Sequence, residues 1–416
     1  MDLKFSRQFS KNKILNYKTM KKHNCRICKN KLDNILDLNK QPPANSLFKK
    51  KKPKKFPLVL AYCKKCVLLQ LTEFPNKKYL FNKYFWVTGT SSSAKTFAKI
   101  FYKKISNLTK KQSNIFEIAS NDGTFLKEFK KNKHNILGID PAKNISKIAN
   151  SRGIKTIAKF FNYSTAIEIK KNFQPDIIFA RNVIPHVSNL KSVIKGISHL
   201  CKNETKVAIE FHYAGEIFKD LQYDSIYHEH IFYFSVRSLS KIFEKFGLYS
   251  NDYFISPMSG GSVVLIFSKN KKKISHNLKK KIKHEADIRL NQYNTWKVFA
   301  KKVKNHKIKF KNLIINQLKR NGKFFAYGAS ARSSTLLNYT EIDNKYIDFI
   351  IDQNELKDEH YSPGSNVKIL KFEKVSKLIN KYKHMILLAW NFEREIKKFL
   401  LEKKFKGKII VPFKKK

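Results

Sequence analysis

From about Phe97 onward, short apolar runs alternate with longer stretches in which apolar residues recur every three or four positions. The runs Asn114-Ile-Phe-Glu-Ile-Ala119, Ile136-Leu-Gly-Ile139, Asp176-Ile-Ile-Phe-Ala180 and Lys206-Val-Ala-Ile-Glu210 read as strands. The first leads through Ser120-Asn-Asp-Gly123 into a helix from Thr124, the second ends at Asp140, and the third ends at Arg181-Asn182. This alternation predicts a doubly wound α/β sheet whose ligand lies at the carboxyl ends of its strands. A second such unit begins late, with strands at Lys323 to Tyr327, Tyr346 to Ile351 (ending at Asp352) and His384 to Ala389. Its turn into a helix is Gly328-Ala-Ser-Ala-Arg-Ser-Ser334. Between the units the chain reads as charged helix, with Leu290, Tyr293 and Val298 among the apolar positions that pack on one face. Ahead of the first unit, Ile35 to Leu38 and Leu58 to Tyr62 are short strands in a proline-containing segment. The expected organisation is a basic tail (1–22), a small module (23–80), a first α/β domain (81–270), a helical connector (271–320) and a second α/β domain (321–416).

Composition narrows this picture. A chain of 416 residues is too long for one ordinary core, and 42% apolar residues with 34 Phe and 18 Tyr suffice for two or three. The net charge of +55 invites a nucleic-acid reading, yet only nine of the 86 basic residues are Arg. Base readout and bidentate phosphate grips favour Arg, and the lysines are spread along the whole length. Drift of surface positions toward Lys is therefore preferred to a dedicated nucleic-acid stripe, with a general attraction for anionic ligands in either case. No run of 18 apolar residues spans a membrane, and residues 1–22 lack the apolar stretch of a secretory signal, so a cytoplasmic protein is expected.

Four of the five cysteines form two doublets, Cys25-Arg-Ile-Cys28 and Cys63-Lys-Lys-Cys66, separated by 34 residues. Each doublet presents two thiolates on a tight turn, and two doublets complete a closed tetrahedral zinc shell. Such a site stabilises a module too small for a core of its own. Cys201, between a helix and a strand, reads as a buried thiol rather than a nucleophile.

The turn Glu117-Ile-Ala-Ser120-Asn121-Asp122-Gly123 puts a carboxylate ahead of a small-residue turn at a helix N-terminus. The dinucleotide fingerprint needs Gly-x-Gly-x-x-Gly, and only Gly123 is present. Asp140, 23 residues after Glu117, ends the second strand where a carboxylate accepts ribose hydroxyls; its alternative role is to cap the helix after Pro141. These features, with Asn182 at the end of the third strand, favour S-adenosylmethionine over a nicotinamide cofactor.

Tyr227-His228-Glu229-His230 packs a phenol, a carboxylate and two imidazoles into four residues, either as a structural polar knot or as a proton-transfer site. Its context resolves the choice by resemblance. The turn above, Asn182-Val-Ile-Pro-His186-Val, Glu210-Phe, Tyr227-His-Glu-His230-x-x-Tyr233-Phe-Ser, Gly260-Gly-Ser262, Tyr327-Gly-Ala-Ser-Ala-Arg-Ser-Ser-Thr-Leu-Leu-Asn338 and Leu387-Leu-Ala-Trp-Asn391 resemble the sugar C-methyltransferases. With the paired cysteines in front, the resemblance runs from about Cys25 to the C-terminus. It implies a zinc-binding domain, a class I methyltransferase domain and a C-terminal Rossmann-like domain. The implied substrate is a thymidine-diphosphate 4-keto-deoxysugar, methylated at C-3 by S-adenosylmethionine after a base removes the proton alpha to the ketone. That chemistry assigns His230 as the base, Glu229 as its orienter, Tyr227 as a hydrogen-bonding or relay group and His186 as the polariser of the enolate oxygen. If the string is extended, His228 faces away from His230.

The resemblance also implies an active-site tyrosine at Tyr84, whereas Trp86 stands where a second aromatic hydroxyl often occurs. Ser259 occupies the place before the paired glycines where relatives commonly carry histidine. In the last domain, the helix start at Ser330, Arg332 and Ser333 is expected to hold an anion of the sugar nucleotide, the alternative being an ordinary strand–helix junction. Two further readings remain beside the leading one: a methyltransferase of an oxygen or nitrogen acceptor, and a basic zinc-containing nucleic-acid binder whose affinity falls steeply with salt.

Overall fold

The apolar runs form strands at the expected places in the computed structural model, which describes residues 23–76, 87–108, 112–271 and 274–413. Tyr84 and Trp86 lie outside the described residues. The central sheet contains β4 (Asn114–Ile118), β5 (Asn135–Ile139), β6 (Thr156–Ile157), β7 (Ile177–Arg181), β8 (Lys206–His212), β10 (Tyr249–Ser256) and β11 (Ser262–Ser268). Their order is β6-β5-β4-β7-β8-β11-β10, with all pairs parallel except those made by β11. The order reverses on either side of β4, which opens a crevice at the carboxyl ends of β4 and β7. This topology, closed by one antiparallel strand inserted beside β8, is the class I methyltransferase sheet.

One face of that sheet is covered by the helices Ser92–Ser106 and Thr124–Lys131, which bring a cluster of aromatic rings onto it. Phe101 lies 5.5 Å from Phe125 and 5.1 Å from Phe179 between ring centroids, so the first helix is seated on the sheet by directional ring packing as well as burial. Ser91 caps that helix by accepting from the Ala94 amide.

The small module contributes β1 (Asp33–Gln41), β2 (Phe56–Cys63) and β3 (Leu68–Leu71) to an antiparallel sheet. Its fourth strand, β9 (Phe232–Tyr233), comes from the methyltransferase segment and pairs with β3 through Leu69 and Gln70. The two units are therefore joined by a shared sheet, although they are well separated in sequence. The C-terminal unit is a parallel sheet ordered β14-β13-β12-β15-β16, built from β12 (Phe324–Tyr327), β13 (Ile347–Ile351), β14 (Lys368–Leu370), β15 (His384–Leu387) and β16 (Lys408–Ile410).

Two helices, His276–Asp287 and Tyr293–Asn321, connect the α/β units. Leu290 is buried in the bend between them, but Val298 is 51% exposed, contrary to its expected place on the packed face. Trp296, Phe299, Ala300, Val303, Phe310 and Ile314 form the buried stripe at helical spacing, and Val298 falls off it. Among the described residues no helix is long and apolar enough to cross a membrane.

Candidate active site

The end of β4 turns through a strained loop. Ala119 and Asn121 have φ of 56° and 50°, and Gly123 follows at 76°. Left-handed backbone at two non-glycine residues persists only where neighbours enforce it, and such strain concentrates at functional sites. Here the Ser120 amide donates to the Ile139 carbonyl at 3.1 Å and the Asn121 amide to Asp140 Oδ2 at 2.9 Å. A Cβ on Gly123 would come within 2.6 Å of the Ile154 side chain, so that position admits no larger residue without a shift. The short segment after Val87 lies across the loop: Thr88 N donates to Asn121 Oδ1 at 2.8 Å and Gly89 N to Asp122 Oδ2 at 3.2 Å.

The expected cofactor residues divide into two groups. Asp122 is buried but engaged, accepting from Thr124 Oγ1 at 2.7 Å and from Arg152 Nη1 at 2.8 Å as well as from Gly89. It holds the loop together rather than facing a ligand with a free carboxylate. Asp140 takes one amide on each oxygen, from Asn121 and Ala142, and keeps its remaining lone pairs at the carboxyl end of β5. The helix after it is capped at Ala142, so Asp140 is not the cap residue. Glu117 is 2% exposed, and among the described residues its Oε2 has no hydrogen-bond partner; nor does Ser120 Oγ. Burial pushes the Glu117 carboxyl well up; the Arg181 cation opposes this, while Asp122, Asp140 and Glu210 add to it. Asn182, at φ 49°, follows β7, with its amide donating to the Glu210 carbonyl at 2.9 Å.

This donor set fits S-adenosylmethionine. An orphaned buried carboxylate oxygen at Glu117 suits a cationic amino group, and the free lone pairs of Asp140 suit ribose hydroxyls. The zinc shell fits as well. The Sγ atoms of Cys25, Cys28, Cys63 and Cys66 all lie within 4.8 Å of one another, with Cys28 and Cys63 Sγ 3.4 Å apart, a range that brackets the edge of roughly 3.8 Å of a tetrahedron with Zn–S bonds of about 2.3 Å. Lys29 and Val67 follow the two doublets at φ 65° and 48°, completing the knuckles. The Ile27 and Cys66 amides point at Cys25 and Cys63 sulfur at 3.4 Å, and Gln70 Nε2 donates to Cys25 Sγ at 3.2 Å. Cys201 is buried outside this cluster, and burial pushes its thiol up to about 12, as suits an inert side chain.

Tyr227 to His230 form a turn, closed by the His230 amide donating to the Tyr227 carbonyl at 2.9 Å, not the extended segment considered from sequence. His228 nonetheless faces the zinc-binding module, where its Nε2 donates to the Pro57 carbonyl at 3.1 Å and its ring meets Phe56 edge-on. His230 Nε2 lies 2.9 Å from Tyr227 Oη, and its ring centroid lies 4.6 Å from that of His186. His186 Nδ1 donates to the Glu229 carbonyl at 2.7 Å, which fixes the proton on Nδ1 in the neutral ring. Burial lowers His186 to about 4, against the pull of the Glu229 and Asn182 carbonyls. His230 is pushed far below the usual imidazole range by burial and by His186 and His212, with the Ser225 carbonyl opposing.

The structure corrects the role expected of Glu229 as orienter of His230. Its Oε1 accepts from the backbone and side-chain amides of Asn45, both at 3.0 Å, and the side chain bonded to His230 is that of Tyr227. Arg332 is corrected likewise. Its guanidinium grips Asp224 with Nε at 2.9 Å and Nη2 at 2.8 Å, reaches the Ser259 carbonyl and Gln222, and lies over the Trp390 ring. It is a buried clamp between domains, and Gly260 is required beside it because a Cβ there would meet Nη1 at 2.6 Å. Ser330 caps the helix Ala331–Thr340 by accepting from Ser333 N, and Ser333 Oγ returns to the Ser330 carbonyl, so both hydroxyls are satisfied locally. Sequence reasoning missed Asn45, and it missed His212 and Gln222, bonded Nε2 to Oε1 at 3.0 Å at the end of β8. His212 alone carried a signal, standing two residues beyond Glu210 on the same strand face.

Three family models match the chain in succession: a zinc-binding domain over residues 25–81, a methyltransferase domain over 93–250 and a C-methyltransferase C-terminal domain over 257–413. The C-methyltransferase NovU of Streptomyces niveus is 27% identical over 365 residues, which is 86% of either chain. Among solved structures, a TehB-like SAM-dependent methyltransferase from Corynebacterium glutamicum is 12% identical, with a TM-score of 0.32 over 42% of this chain and 88% of that one. The magnesium protoporphyrin IX methyltransferase of Synechocystis, with bound SAM, is 9% identical, with a TM-score of 0.32 over 43% of this chain and 80% of that one. The sheet topology, the cofactor crevice and the matching domains define an S-adenosylmethionine-dependent methyltransferase of class I fold with a zinc-binding domain. Within that class, the chain carries the C-terminal domain of C-methyltransferases and is related over most of its length to the C-methyltransferase NovU.

Proposed function

We propose that this enzyme methylates C-3 of a thymidine-diphosphate 4-keto-deoxysugar. The observation that carries the reading is the pair of buried, neutral imidazoles, His186 and His230, held ring to ring at the carboxyl end of β7 with Tyr227 bonded to His230. A base must be unprotonated at neutral pH, and burial keeps both rings so. His230 accepts the proton alpha to the ketone, and the C–H bonding pair moves into the enolate. Tyr227 passes or shares that proton through its hydroxyl, and His186 faces the developing oxygen. S-adenosylmethionine, when bound by Glu117, Ser120, Asn121, Asp140 and Asn182, supplies the electrophilic methyl group that such a carbon nucleophile needs.

The nucleotide part of the substrate is assigned to the cleft toward the C-terminal domain, on the motif resemblance from Tyr327 to Asn338. Residues 23–80, 81–270 and 321–416 are taken as the zinc-binding, methyl-transferring and substrate-binding units, joined by 271–320. Four free cysteines in zinc-binding geometry suit a reducing cytoplasm, which is where this reading puts the enzyme. Incubation with S-adenosylmethionine and the keto-sugar nucleotide in deuterated water tests the proposal. It expects a mass gain of one methylene in the product and solvent exchange at C-3 of the substrate not yet methylated, since methylation replaces the C-3 hydrogen. Methyl gain on oxygen or nitrogen, without that exchange, would assign the other acceptor class.

A further inference from the structure

Glu229 is 3% exposed, and its two oxygens are treated unequally. Oε1 accepts both the backbone and the side-chain amide of Asn45, whereas Oε2 is buried and makes no hydrogen bond among the described residues. An unpaired buried carboxyl oxygen is costly, and in a native protein it marks a proton or a ligand atom. The two donors decide which oxygen takes the proton in the neutral acid. Oε1 already faces two N–H groups, so an O–H can sit only on Oε2. Both donors belong to the loop after β1 of the zinc-binding module, 184 positions earlier in the chain.

The same turn places the Glu229 carbonyl on His186, so the residue that carries the unpaired oxygen also holds one of the two imidazoles through its backbone. The titratable groups around it are His186, His228, His230 and the phenols of Tyr227 and Tyr233. The Glu229 charge helps push the Tyr233 phenol up. Among the described residues no lysine or arginine pairs with Glu229. Burial pushes its carboxyl up, and the amides of Asn45, Glu229 itself and Ala44 oppose that.

We propose that Asn45 is a positioning residue of the active site: the zinc-binding module holds Glu229 Oε1 through it and leaves Oε2 for a hydrogen bond to a carbonyl or hydroxyl oxygen of the substrate. The substrate side of this inference rests on the reaction proposed above; the grip on Glu229 does not.

The test is an infrared pH titration of the full-length, zinc-loaded protein without substrate, following the carboxylic C=O band that Glu229→Gln removes. In Asn45→Ala the band is expected at higher pH than in the wild type, because the ionised form has lost one donor. Asn45→Ser keeps a side-chain donor and should titrate close to the wild type. Should Asn45→Ala fail to fold, Asn45→Asp serves, since its charge also moves the band to higher pH. With the keto-sugar, Asn45→Ala should lose about tenfold in kcat, the scale of one hydrogen bond to a charged group, with unchanged zinc content. A band at the same pH in variant and wild type overturns the proposal, whatever happens to kcat. A shifted band in an enzyme that methylates no keto-sugar would remove the substrate assignment while leaving the role of Asn45 in place.

Discussion

Three buried imidazoles, His186, His212 and His230, stand near Tyr227, and each is kept neutral by the same cause. His186 is lowered to about 4 and His212 to about 3, both chiefly by burial, and His230 is driven down likewise. For such groups the unfolded chain binds protons that the folded chain refuses as pH falls below the ordinary imidazole value of 6.5. Their contribution to stability is therefore full above about pH 6.5 and is lost on acidification, at about 1.4 kcal/mol per pH unit for each ring. The buried carboxyls of Glu117 and Glu229, raised in the fold, work in the opposite sense, so the prediction is best read as a difference. Denaturant titrations should show the wild type losing stability relative to His212→Gln as pH drops from about 6.5 to 4. A second prediction concerns Tyr227→Phe, which removes the 2.9 Å contact to His230 Nε2. It should lower kcat by about a hundredfold, within the range of a lost acid–base contact, with little change in S-adenosylmethionine affinity by calorimetry. The density of proton-handling groups in Tyr227 to His230 was legible in the sequence. The partner of Glu229 was not, because Asn45 lies in another domain and a lone asparagine after Pro42-Pro43-Ala44 carries no pattern.

At the scale of elements, the turn from Tyr227 to His230 is suspended between neighbours. On one side Thr335 Oγ1, from the helix Ala331–Thr340, donates to the Ile226 carbonyl at 3.0 Å. On the other, β9 pairs with β3, and His228 holds the Pro57 carbonyl on β2. The zinc shell sits at the ends of the same strands, since Cys63 closes β2 and Cys66 precedes β3. Removing zinc with a chelator should loosen this sheet and release the turn. Amide exchange at Phe232 and Tyr233 is expected to accelerate, and methyl transfer to fall, before the central sheet opens. Unchanged protection of these two amides would show that the pairing does not depend on the metal. The runs that form β4, β5, β7 and β8 were readable from apolar continuity, because strands buried in a parallel sheet are apolar on both faces. The two-residue β9 was not, since its pairing with β3 is a long-range event that no local periodicity encodes.

Across the whole molecule, Arg332 and Asp224 form the principal polar joint between the methyltransferase and C-terminal units, with Trp390 Nε1 also donating to Asp224 at 2.8 Å. Removing one partner leaves a buried charge uncompensated, which costs about 3–5 kcal/mol. Chemical denaturation of Arg332→Ala should show a loss of that size, whereas a loss below about 1 kcal/mol would mean that the joint is solvated. The order of zinc-binding, methyltransferase and C-terminal domains was legible in motifs along the chain. The contacts that make one site from them were not, because each joins residues about a hundred or more positions apart. The net charge of +55 has no counterpart in the catalytic chemistry beyond a general pull on anionic substrates. The central claim is carbon methylation through proton abstraction by His230. Its most direct test is mass analysis of a thymidine-diphosphate 4-keto-deoxysugar incubated in deuterated water with S-adenosylmethionine and either wild type or His230→Ala. With the wild type, methylene gain in the product and deuterium at C-3 of the keto-sugar not yet methylated are expected, and with the variant neither; a variant that still exchanges and methylates C-3 would contradict the claim.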